Sequence, residues 1–289
     1  MAIVKTSIAL IKRYPVLSYF LLTFAISWGG FVLVVGPGGF PGTGSQFDTI
    51  TPYVVIAMLA GPSISGLVLT GVVCGRAGYR ELLSRLLRWR VGARWYAVAL
   101  LTAPLLAWAL LAAFSLTPPI FSTADKAALV LTSVVAGLVG GLFEELGWTG
   151  FAVPRLRLRH GVLATGLIIG VPWGAWHLLQ GLWIGGTYAG TVPLGLFLIL
   201  NFLSGIAELT AFRVLMMWVY DRTESLLIAA LMHAGLITGT IFLFTPMATG
   251  MLGLAYAWTF NAALWLLVAV VVVANQGHLA RQPIARPVL

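Results

Sequence analysis

Two adjacent glutamates, Glu144 and Glu145, close an otherwise apolar stretch, AALVLTSVVAGLVGGLFEELGWTGF, and two histidines, His177 and His233, lie in two later apolar stretches. Ionisable groups at membrane depth are costly and mark working sites. A carboxylate held in a desolvated cavity suits a general base that takes a proton from water. A histidine from a second helix can orient that water, and one from a third can donate to an oxyanion formed on a peptide carbonyl. The same three groups, Glu144, His177 and His233, could instead hold Zn²⁺ and leave a position open for water, although HExxH is absent. A proton or ion relay of a transporter is a third use of such residues. Successive helical residues are rotated by roughly 100°, so one glutamate is expected to face a cavity and the other a partner.

Helices must bring these groups together across a membrane. The chain is 60% hydrophobic and 9% charged, against roughly 25% charged in soluble domains. A span needs about 20 mainly apolar residues, and that length selects eight segments: 16–35, 53–73, 95–116, 127–145, 162–180, 192–220, 226–244 and 251–273. The expected fold is therefore all-α, a polytopic membrane protein forming one domain over 1–289. The sixth segment is overlong, which predicts a tilted or broken helix. The acidic pair ends the fourth span, His177 lies in the fifth and His233 in the seventh.

Charge sets the expected orientation, because Lys and Arg of short loops concentrate on the cytoplasmic side. All 17 Lys and Arg except Lys126 and Arg213 fall on one face of this arrangement: before the first span, after the second, fourth and sixth, and in the tail. Both termini are expected in the cytoplasm of a prokaryotic cell. The net charge of +9 is thus an orientation signal, and nucleic-acid binding is not expected without a soluble basic domain. Residues 80–90, RELLSRLLRWR, place Leu82, Leu83, Leu86 and Leu87 on one helical face and arginines on the other. That pattern predicts an interfacial helix on anionic headgroups, making membrane lipids a partner.

Smaller features fill in the frame. The one cysteine, Cys74, excludes an intrachain disulfide. The basic N-terminus precedes an apolar run too long for a signal peptide, so that run is expected to remain as a helix. The small-residue pairs Gly137/Gly141, Gly166/Gly170 and Gly235/Gly239 lie on the three site-bearing spans and predict close helix packing there. Trp173, four residues before His177, shares its face and could wall the site. Asn201 at depth predicts an interhelical hydrogen bond, while His160, among arginines, and His278, in the tail, are expected to be solvated.

The run Glu144-Glu145-Leu-Gly-Trp-Thr-Gly-Phe-Ala-Val-Pro-Arg-Leu156, then Trp173-Gly-Ala-Trp-His177, then Arg222-Thr-Glu-Ser-Leu-Leu-Ile-Ala-Ala-Leu-Met-His233-Ala resembles the three ordered motifs of the CPBP family. That family groups CAAX prenyl proteases with bacteriocin-processing and Abi-type membrane proteins, and its pattern is EExxxR, F/WxxxH and HxxxN. The resemblance covers about 127–240. It implies an intramembrane endopeptidase acting on a peptide or lipid-modified protein. Glu144 would be the base, His177 its partner in holding water, His233 an oxyanion donor, and Glu145 a structural group. Zn²⁺ and metal-free water activation both remain open. Two positions depart from the pattern. Thr149 stands in place of the arginine, leaving Arg155 or Arg213 to compensate Glu145 unless that carboxyl is protonated. Ile237 stands in place of the amide donor, and Thr240 is a poor substitute. The departures also leave open a catalytically weak or inactive relative acting as a peptide-immunity or scaffold factor.

Overall fold

A computed structural model describes residues 2–116, 120, 126–277, 279 and 280, so His278, Arg281 and Arg286 lie outside the described residues. The described chain is all-helical. After a first helix, α1 (Ala2–Arg13), come α2 (Pro15–Val35), α3 (Gly44–Leu86), α4 (Ala93–Phe114) and α5 (Lys126–Gly147). A π-helical turn, Trp148–Ala152, leads from α5 into α6 (Val153–Arg157). Then follow α7 (Val162–Trp176), α8 (Leu178–Gly185), α9 (Leu194–Thr223) and α10 (Leu226–Leu236). A π-helical segment, Ile237–Leu243, and α11 (Gly250–Ala274) complete the order. Among the described residues seven helices are long and apolar enough to cross a membrane, or eight if the bent pair α7–α8 is one span.

The differences from the sequence expectation lie at helix ends and breaks. The second span is far longer than 53–73. It runs on through Leu86, interrupted at Gly75 (φ 59, ψ −148), a conformation open to a residue without Cβ. The arm beyond Gly75 does not split into a leucine face and an arginine face. Leu82 and Arg85 are buried while Leu83 and Leu87 are 53% and 63% exposed, and the helix stops before Leu87. The sixth span needs no break, because α9 is one continuous helix of 30 residues. Asn201 makes no side-chain hydrogen bond among the described residues. Asn261 of α11 makes the interhelical bond instead, from Nδ2 to the Ser204 carbonyl at 3.0 Å and to Ser204 Oγ at 2.8 Å.

Glycines set the spacing of the site-bearing helices. A Cβ added at Gly166, Gly170 or Gly174 of α7 would stand 2.8, 2.6 or 2.6 Å from the Cα of Val214, Thr210 or Ile206 of α9. At Gly137 of α5 it would meet the Ala234 carbonyl of α10 at 2.7 Å, and at Gly239 it would meet Pro104 of α4 at 2.8 Å. Side chains there would force the backbones apart. The predicted close packing is present at all three glycine pairs, and it brings α5, α7, α9 and α10 near enough for short polar side chains to meet.

Candidate active site

Local breaks aim the site residues. The Val153 amide bonds to the Trp148 carbonyl five residues back, which sets the π turn after the acidic pair. Such a turn inserts an extra residue into the helical ladder, as π-bulges at functional sites do. The break at His177 has a visible cause. Its backbone N–H turns to the Gly174 carbonyl at 3.2 Å, and its own ring Nδ1 lies 2.9 Å from the Trp173 carbonyl that the amide would have served. The chain restarts as α8, bent by 40° from α7. The Trp176 carbonyl, left near the break, accepts from Trp28 Nε1 of α2 at 2.9 Å. His177 is thereby held at the corner by Nδ1, and among the described residues no hydrogen bond is made by Nε2.

Glu145 is fully enclosed and heavily partnered. Arg213 of α9 donates from Nη1 to Oε2 at 2.7 Å and from Nη2 to Oε1 at 2.9 Å. The Thr149 hydroxyl, one turn along the same helical path, also donates to Oε2, and His233 Nδ1 lies 2.9 Å from Oε1. Both Arg213 and Glu145 have no exposed side-chain surface. An ion pair taken out of water loses hydration on both charges, and a two-pronged geometry with further hydrogen bonds offsets that loss. Arg213 also lies over the Trp173 ring, 3.9 Å from its centre, a cation–π contact that braces α9 against α7.

Glu144 faces the other way, as the helical rotation predicts, and accepts from Trp173 Nε1 at 2.7 Å. One imidazole nevertheless touches both acids. His233 has Nδ1 on Glu145 and Nε2 3.8 Å from Glu144 Oε1, so a flat ring spans two carboxylates that one helix aims apart. Trp173 completes the link. Its ring centre is 5.0 Å from that of His233 and 6.2 Å from that of His177, and its carbonyl meets His177. Glu144, His177 and His233 therefore surround a common indole. Glu144 is 5% and His233 2% exposed, whereas His177 is half-buried.

The structure chooses between the two arginines. Arg213 compensates Glu145. Arg155 does not reach the acids. It donates to the Phe151 carbonyl at 2.6 Å and to Cys74 Sγ at 3.2 Å, and it stacks on the Phe151 ring. Thr149 is more than a lost arginine, since it donates to Glu145 from the arginine's own position; its i+4 spacing was the signal. Ile237 is half-buried and begins the second π segment. The Thr240 hydroxyl donates to the Leu236 carbonyl of its own helix at 2.8 Å. His160 lies away from the cluster, its carbonyl accepting from Arg157 at 2.7 Å.

The metal alternative is testable on the donor set. Among the described residues no three His, Cys, Asp or Glu side chains form a group able to hold a metal ion. One Glu144 oxygen is taken by the Trp173 indole, and His233 Nδ1 is taken by Glu145. Glu144, His177 and His233 do not fit as a three-ligand set in this arrangement.

Fold and site together define a polytopic helical membrane protein with a buried Glu–His–Arg cluster at a helix break. A family model for "Type II CAAX prenyl endopeptidase Rce1-like" proteins matches residues 126–238, from the start of α5 to the start of the second π segment. Glu144, Glu145, Trp173, His177, Arg213 and His233 all lie within the match. The match supports the resemblance to the CPBP family over this segment, and the number of long apolar helices fits an integral membrane protein. No curated protein matches the chain.

Proposed function

We propose that the chain is an intramembrane endopeptidase that hydrolyses a peptide bond of a membrane-associated substrate, a lipid-modified protein or peptide, with water activated by Glu144. The observation that carries this reading is that His233 joins Glu144 to a fully compensated Glu145, while Trp173 joins Glu144 to His177. Glu144 takes a proton from water, and the resulting hydroxide attacks the carbonyl carbon. His177 Nε2 accepts from the same water, because Nδ1 donates to the Trp173 carbonyl. His233 donates Nδ1–H to Glu145 and, as imidazolium, offers Nε2–H to the oxyanion of the tetrahedral intermediate. Glu144 then hands its proton to the amide nitrogen as the C–N bond breaks, releasing a carboxylate and an amine.

The match to a protease family model supports the protease class, and the contacts that engage Nδ1 of each histidine, with the Trp173 carbonyl and with Glu145, support these roles. The test compares wild-type protein with Glu144→Gln on a prenylated, C-terminal CAAX peptide in micelles, with and without chelator. The substitution is expected to lower kcat by about 10²–10⁴-fold, and chelator to leave cleavage unchanged. Equal rates for the two proteins would remove Glu144 as the base. Loss of cleavage in chelator, restored by Zn²⁺, would replace the metal-free scheme.

Both termini are proposed to lie in the cytoplasm, since the Arg-rich segments share one end of the bundle. The catalytic pair would then act toward the cytoplasmic leaflet. Ile237 favours a second reading, a family member of weak activity, because an apolar side chain occupies the place of an oxyanion-supporting amide.

A further inference from the structure

The arm of α3 beyond Gly75 carries a buried arginine that the chemistry above does not use. Arg85 is 9% exposed. Its Nη2 donates to the Gly150 carbonyl at 3.0 Å and its Nη1 to the Tyr220 hydroxyl at 3.0 Å. Gly150 sits in the π turn that follows the acidic pair. The residue four positions on, whose amide would serve the Gly150 carbonyl in α-helical geometry, is Pro154, and proline has no N–H. The Arg85 guanidinium supplies a donor to this carbonyl from another helix. Leu82, three residues earlier, packs on the same spot, since a Cβ on Gly150 would lie 2.7 Å from its Cδ1.

The chain just after this arm grips a second site-bearing helix. Ser225 caps α10 by accepting from the Ile228 amide at 3.2 Å, and its hydroxyl donates to the Arg88 carbonyl at 2.6 Å. The Arg88 side chain pairs with Glu224. One short stretch, 82–88, thus holds both the turn that carries Thr149 and the start of the helix that carries His233. It lies outside the segment 126–238 matched by the family.

We infer that Arg85 is a positioning residue for the Glu144–Glu145–His233 cluster, holding the π turn in register through the Gly150 carbonyl. Thr149 then stays on Glu145, and Glu144 stays under the Trp173 indole. The activity consequence rests on the hydrolytic reading above, whereas the structural consequence does not. Misplacing catalytic groups by about 1 Å lowers rates on the order of 10²-fold, so a contact remote from the reacting atoms has leverage on turnover.

The experiment uses the full chain in detergent micelles and reads backbone hydrogen exchange, thermal unfolding and peptide cleavage for four proteins. These are wild type, Arg85→Gln, Tyr220→Phe, and Arg85→Gln combined with Pro154→Ala, which offers Gly150 a backbone N–H four residues on in place of the guanidinium. Arg85→Gln is expected to speed exchange at residues 145–153 by about tenfold or more while other helices keep their protection. It should also lower kcat by roughly tenfold to a hundredfold with KM within about twofold. Tyr220→Phe keeps the Gly150 bond and is expected to do neither. The double variant is expected to regain most of the protection and of kcat. Unchanged exchange in Arg85→Gln, a uniform rise across all helices with a lower unfolding midpoint, or no recovery in the double variant would each overturn the inference. If wild type cleaves no peptide the hydrolytic reading fails, and the exchange pattern still decides on Arg85.

Discussion

Glu145 and Glu208 are both carboxylates inside helices long enough to cross a membrane, and their surroundings could hardly differ more. Glu145 receives two bonds from Arg213, one from Thr149 and one from His233, and has no exposed surface. Glu208 of α9 is half-buried, and among the described residues no hydrogen bond or ion pair reaches it. One turn earlier on its face, Ser204 is engaged by Asn261, whose own Oδ1 is buried without a partner among the described residues. Glu145 thus stands in a dense network, although Arg213 Nε is left without a partner among the described residues, and Glu208 stands in a sparse one. Depth in an apolar helix flags an acid as unusual, but the convergence of donors from several helices separates a built site from an isolated polar group.

The comparison can be broken most forcefully at Arg213. Arg213→Met should leave Glu145 charged and enclosed without its main partner and destabilise the protein by about 3–5 kcal/mol, read as a fall in the thermal midpoint in micelles. A midpoint shift no larger than that of a surface substitution would mean that the pair is not the anchor of the cluster. Ile237→Asn restores an amide where the family pattern has one. It should raise kcat, by up to about 10²-fold if the amide reaches the oxyanion, and a lower rate in a folded protein would mean that Ile237 belongs to a different arrangement. Trp173→Phe keeps the ring and removes the indole N–H from Glu144. The lost bond to a carboxylate is worth about 1.5–3 kcal/mol, so a decrease in kcat on the order of tenfold is expected in the same peptide assay. Smallest of all is Glu208→Gln, which should shift stability by no more than about 0.5 kcal/mol and leave cleavage unchanged. A large effect there would show that Glu208 has a partner of its own.

Much of the site was legible before any coordinates. Glu144, Glu145, His177 and His233 stand out because ionisable residues are rare in such segments, and Trp173 follows from its i,i+4 spacing to His177. The glycine pairs predict tight packing because a missing Cβ has the same consequence wherever two helices cross. Arg213 was legible only as one of two options, since sequence separation says nothing of which cation faces Glu145 across a helix interface. Thr149 reads as a lost arginine until its hydroxyl is seen on the carboxylate. Arg85 reads as one more charge on an amphipathic helix. Its inward turn depends on a carbonyl 65 residues away in sequence.

The sequence by itself determined the class of solvent this chain folds in, the spans and their order, and the residue types able to move a proton. Those properties follow from composition and from periodicities local to each helix. Only the tertiary structure decided which acid is compensated and by what, that one imidazole touches both glutamates, and that the helix bearing His177 breaks at that residue. These are set by distances between helices, and such distances depend on side-chain volumes and backbone donors contributed by segments far apart in the chain.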